Sequence, residues 1–85
     1  MKAKAKEKKV NMSQQYGDYE LCATNYPHPD IKTGQHTNGP ASIWVRYKGE
    51  QWLHTGERHM HKVKEAIDTF GVMFINELLR AQYRH

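Results

Sequence analysis

From Met60 to Ala81 the apolar residues recur at helical spacing, and a change half-way along that segment is the strongest constraint on the fold. With Val63 as reference and about 100° of turn per residue, one stripe collects Met60, Val63, Ala66, Ile67, Phe70, Phe74, Leu78 and Ala81. A second stripe of Val72, Ile75, Leu79 and Tyr83 runs along the opposite side, but only beyond Phe70. Before Phe70 that side carries His61, Lys64, Glu65 and Asp68. The segment reads as an amphipathic helix as far as Thr69 and as apolar nearly all round after it, so its second half must be covered on every side.

A helix running from Thr55 to the C-terminus would be roughly 42 Å long. Strands of ordinary length span only about 20 Å, which leaves half of the helix without a sheet beneath it. With few other residues to spare in a chain of 85, the second stripe is expected to be covered by another copy. Val72, Ile75, Leu79 and Tyr83 are thus the expected partner or homodimer interface. Gly71 stands at the changeover and offers the alternative. In a continuous helix it costs about 1 kcal/mol relative to alanine, and a break there would let the second half fold back over the chain's own core.

The segments before the helix read as strands. In residues 18–26, Tyr19, Leu21 and Ala23 alternate with Glu20, Cys22 and Thr24, the two-residue period of a half-buried strand. Two further apolar runs flank Lys48-Gly49, a dipeptide suited to a two-residue hairpin turn because glycine takes positive φ without strain. That turn pairs Val45 with Trp52 and Ile43 with His54 on one face, and Trp44 with Leu53 on the other. The first set is the expected core face. Residues 27–40, bounded by prolines and rich in Gly, Asn, Asp and His, read as a loop long enough to be either functional or disordered. Thr55 is the expected helix N-cap, with Arg58 where a capping box would place Glu or Gln.

Charge is distributed unevenly. Residues 1–9 hold five lysines and one glutamate, so the 13 basic and nine acidic residues of the chain leave eight of each in the remainder. The net charge of +4 therefore belongs to an N-terminal stretch without apolar pattern, expected to be a solvated, disordered leader. No apolar run follows it, so it is not a secretory signal, and no stretch approaches a membrane span. The single cysteine, Cys22, forms no disulfide within the chain. These features together suit a cytoplasmic protein.

Few residues suggest chemistry. His54, His59 and His61 lie at the strand-to-helix junction, with Cys22 and His28 as further possible zinc ligands. His59 and His61, however, would point about 200° apart on a regular helix and could not share an ion. No metal, cofactor or catalytic group is assigned. For nucleic acid, Trp44, Arg46 and Tyr47 interleave aromatic and basic groups. Arg58, His59, Lys62 and Lys64 crowd the helix start, where the dipole already attracts anions. The zero net charge outside the leader weighs against that use.

The sequence reads as a disordered lysine-rich tail over residues 1–16 and one α+β domain over residues 17–85. The domain is expected to hold a three-stranded antiparallel sheet (about 18–26, 42–47 and 50–55) followed by one long C-terminal helix, in the order βββα. The expected function is that of a small non-enzymatic binding protein that occupies a macromolecular partner, a protein rather than a nucleic acid, as a homodimer. Nucleic-acid binding is the alternative.

Overall fold

Two tight turns and one long excursion lay down the sheet. The computed structural model describes residues 9–83. It is an α+β protein with four strands, β1 (Asn11–Tyr16), β2 (Tyr19–Thr24), β3 (Ser42–Tyr47) and β4 (Leu53–His54), then two helices, α1 (Met60–Phe70) and α2 (Val72–Tyr83). The strands are antiparallel and lie side by side in chain order.

The expected class is thus found, with one more strand and one more helix than expected. The additional strand, β1, falls in residues read as part of the disordered tail. It pairs with β2 from Asn11↔Thr24 to Tyr16↔Tyr19, and its residues Met12 to Gln15 are all exposed. Backbone pairing rather than apolar burial holds it, which is why hydrophobic alternation passes it over. The lysine-rich residues 1–8, also assigned to the tail, lie outside the described residues.

The Lys48-Gly49 turn forms as expected. Both residues have positive φ, 52° and 72°, and Glu50 N–H donates to the Tyr47 carbonyl at 3.1 Å. The register beyond it is one residue out from the expected one. Val45 pairs with Leu53 and Trp44 with His54, so Gln51 and Trp52 together oppose Arg46, in the manner of a β-bulge. One extra residue reverses the faces. Leu53 joins Leu21, Ile43 and Val45 in the core, and Trp52 leaves it.

Thr55 is not the N-cap. Its backbone still belongs to the sheet, with Thr55 N–H donating to the Ile43 carbonyl at 3.1 Å. Its hydroxyl donates to the same carbonyl at 2.7 Å and accepts the Glu57 N–H at 3.0 Å. The Glu57 carbonyl in turn accepts the Ile43 N–H at 2.9 Å. The helix therefore starts later, at Met60, with His59 in the cap position and no side chain bonded to the free N–H groups.

The long helix is two helices. At Gly71 the backbone takes φ 57° and ψ −135°, a region that side-chain-bearing residues avoid. The Gly71 N–H still bonds the Ile67 carbonyl at 2.8 Å, and the Phe74 N–H bonds the Gly71 carbonyl at 3.0 Å. Both helices consequently lie over one face of the sheet. Val63 and Ile67 come from α1 and Ile75 from α2, with Phe74, Leu78 and Leu79 packed at the margin.

The opposite sheet face is covered by residues 25–40. Asn11 Nδ2 donates to the Pro29 and Ile31 carbonyls at 3.0 and 2.9 Å. Asn25 Nδ2 donates to the Thr37 carbonyl at 3.2 Å, and Asn25 Oδ1 accepts the Val10 N–H at 3.0 Å. Beneath this cover Cys22 and Thr24 are buried, and Tyr26 is buried within it. Among the described residues, no helix is long and apolar enough to cross a membrane.

Candidate interaction surfaces

The four residues of the expected interface stripe all lie on α2 but do not share one environment. Ile75 is 6% exposed and Leu79 half-buried against the same core, so the chain's own sheet takes these two. Val72 and Tyr83 point outward, 43% and 65% exposed. Tyr83 is nevertheless engaged, its hydroxyl donating to Gln51 Oε1 at 2.7 Å. Ile75 and Leu79 therefore need no second copy to cover them.

A different apolar surface takes its place. Phe70 and Met73 are 56% and 65% exposed, and with Phe74 and Glu77 they line an open cleft of about 330 Å³ at the helix corner. Phe70 closes α1 and the other three lie on α2, so it is the bend at Gly71 that brings them to one cleft. Val72 adjoins them in sequence. Of the two phenylalanines expected in the core, Phe74 is partly buried against it, whereas Phe70, the last residue before the break at Gly71, is exposed.

The residues grouped for nucleic acid are not brought together. Alternation puts Tyr47 on the helix face, where its ring lies 5.0 Å from that of Tyr19, and places Trp44 and Arg46 on the opposite face. Arg46 is neutralised by Glu20, with Nε and a terminal nitrogen 2.8 and 2.7 Å from Oε1. Its guanidinium also sits 4.5 Å from the centre of the Trp52 ring. Trp44 is flanked by His28 and His54, with ring centres 5.2 and 4.9 Å away and edge-on. Only the helix start keeps the expected character. Arg58, His59, His61 and Lys62 are exposed, and the first turn carries no acidic residue. Lys64 leans over the Tyr16 ring at 5.5 Å.

The candidate zinc ligands do not gather into one site. His54 meets Trp44 edge-on, and His59 and His61, expected on opposite helix faces, lie with ring centres 5.7 Å apart because His59 precedes the helix in extended backbone. Among the described residues, no three His, Cys, Asp or Glu side chains converge on a point that could hold a metal ion. Cys22 is 1% exposed, and burial, followed by the nearby Glu20 charge, pushes its thiol pKa up to about 11. A thiol in that state is a poor nucleophile and a poor metal ligand.

A shallower cleft of about 240 Å³ separates the β1–β2 turn from α1, lined by Tyr16, Gly17, Tyr19, Ile67 and Asp68. The Tyr16 hydroxyl donates to both Asp68 oxygens at 2.7 and 2.9 Å. That bond, ahead of burial and the Asp68 charge, raises the Tyr16 pKa. This pair ties α1 to the first hairpin.

No protein-family model, no curated protein and no solved structure matches this chain.

Proposed function

We propose that the chain is a small non-enzymatic binding protein that occupies a protein partner through the corner between its two helices. One observation carries this reading: Phe70 and Met73 stand exposed on either side of Gly71 and line one cleft, with exposed Val72 next to them in the chain. Contiguous exposed apolar residues on a small domain are a recurrent mark of protein interfaces. Aromatic and methionine side chains are the types enriched at interface centres. The partner group that fits is an apolar side chain inserted between Phe70 and Met73. A basic neighbour on the partner would meet Glu77, which forms one wall of the cleft and pairs with Arg80 at 3.1 Å.

The test is comparative affinity purification from the native host, using the wild-type chain and Phe70→Ser/Met73→Ser. Both residues are exposed, so the variant is expected to retain the wild-type melting temperature. A protein retained by the wild type and lost from the folded variant supports the reading. An identical set of co-purifying proteins would refute it.

Nucleic-acid binding is a second reading, favoured by one observation, the exposed Arg58 and Lys62 at a helix start without acidic residues. It requires salt-dependent retention on heparin that falls in Arg58→Ala/Lys62→Ala. Equal elution of both proteins would remove it.

A further inference from the structure

The two edges of the sheet are finished differently. At β4, the Thr55 N–H bonds the Ile43 carbonyl, so by antiparallel alternation the N–H and C=O of His54 turn outward from the sheet. Gln82 of α2 meets both, donating from Nε2 to the His54 carbonyl at 3.1 Å and accepting the His54 N–H on Oε1 at 3.5 Å. That edge is closed.

At β1 the same alternation leaves an edge that no strand pairs with among the described residues. The Asn25 N–H donates to the Val10 carbonyl at 3.2 Å, so Val10, Met12, Gln14 and Tyr16 turn their backbone groups toward β2. Asn11, Ser13 and Gln15 present theirs outward, on a strand that ends the sheet. The charges, prolines and bulges that normally blunt such an edge are missing from the strand itself. Asn11–Tyr16 contains no charged residue and no proline, and its register with β2 is continuous, without a bulge.

We propose that β1 is an interface between two copies of this chain, the two β1 strands pairing antiparallel about a two-fold axis through Ser13. This register sets Ser13 against Ser13 and Asn11 against Gln15, and it pairs all three outward-facing residues of each strand. On the helix side it sets Val10 against Tyr16, an aromatic–β-branched pair of the kind that stabilises sheets, and Met12 against Gln14. Met12 is 69% exposed in the single chain. On the other side Lys9 lies opposite Gly17 with Asp18 next to it, so opposite charges meet at both ends of the interface. Nowhere from Lys9 to Gly17 do like charges oppose. The product is a continuous eight-stranded sheet with all four helices on one side. This inference is independent of the partner surface at Gly71, which lies on the helices.

The experiment measures the mass of the full chain by light scattering over a concentration series, for wild type, Ser13→Lys, Ser13→Glu and an equimolar mixture of the two variants. Ser13 is exposed, and on the axis each substitution sets two like charges face to face. The wild type is expected at twice the 10.0 kDa of one chain, each variant alone at one chain, and the mixture again at two. Amide exchange on the wild type supplies a readout free of folding effects, since Asn11, Ser13 and Gln15 should gain protection as concentration rises. A wild type that stays at one chain overturns the proposal. So does a dimer that persists in both variants, a mixture that stays monomeric, or exchange at those three amides that ignores concentration.

Discussion

Gln82 on α2 binds the backbone of His54 on β4 as a neighbouring strand would, accepting from its N–H and donating to its carbonyl. A single side-chain amide thus joins the end of the last helix to the last strand. Its Nε2 also donates to the Leu78 carbonyl at 3.2 Å, which fixes the side chain in place. Gln82→Ala would return the His54 groups to water. A net cost of about 0.5–1.5 kcal/mol per hydrogen bond is usual, and the partial exposure of this pair puts the expected loss near the lower bound. The specific readout is the His54 amide, whose hydrogen exchange should accelerate in the variant. Unchanged exchange there would show that the amide pair does not hold the edge.

The helix that carries Gln82 was legible in the sequence, but its direction was not. Apolar periodicity reports which residues share a face only while the axis stays straight. It therefore located Val63 and Ile67 correctly and misassigned Phe70 and Ile75, which stand on either side of the Gly71 bend. Strand β2 and the Lys48-Gly49 turn were likewise readable, the first from alternation and the second from turn chemistry. The one-residue offset after the turn was not, because Trp52 and Leu53 are both apolar and either satisfies the pattern. β1 was invisible for a different reason. Only Met12 among its central residues is apolar, and its ladder is made of backbone groups that every sequence possesses. The interaction surfaces inherit these gaps, since the outward set depends on where the chain bends and where the sheet ends.

Substitutions on α2 distinguish its two sides. Ile75 is packed with Val45, Leu53 and Val63 in one core, so Ile75→Ala should destabilise the domain by about 2–5 kcal/mol, the usual cost of such a truncation. Val72, three residues earlier and 43% exposed, should tolerate serine within about 0.5 kcal/mol. Denaturant melts of the two variants measure both values. Comparable losses at the two positions would mean that Val72 is covered in solution.

Cys22 makes stability depend on alkaline pH. Burial holds its folded pKa near 11, above the ordinary value of 9.0, so the folded state keeps the proton more tightly than the unfolded chain. The associated stabilisation is fully present below pH 9 and is lost as pH rises through about 11. Tyr16 and Tyr19 are also shifted upward and act in the same direction. Cys22→Ala isolates the thiol, and its melting temperature should fall less steeply than that of the wild type between pH 9 and 11. At neutral pH the native thiol should react with an aromatic disulfide reagent far more slowly than the denatured thiol. Rapid native labelling would show that the cover formed by residues 25–40 opens readily.

Gly71→Ala gives the clearest test of the bend, because its two possible effects have opposite signs. If the chain ran as one continuous helix through Gly71, alanine would stabilise it by about 1 kcal/mol through helix propensity. In the bent chain the residue sits at φ 57°, ψ −135°, where a side chain costs about 1–3 kcal/mol in backbone strain. Space is not the obstacle, since the nearest atom to an added Cβ is the Tyr19 hydroxyl at an ordinary contact distance of 3.8 Å. The loss is therefore one of conformation alone, and Gly71→Ala should lower the melting temperature. The same backbone turn at Gly71 sets Phe70, Val72 and Met73 in their outward arrangement. A variant that straightens would pull Ile75 out of the core and alter the partner surface together with stability. A rise in melting temperature on Gly71→Ala would restore the straight helix, and with it a second apolar stripe in need of another chain.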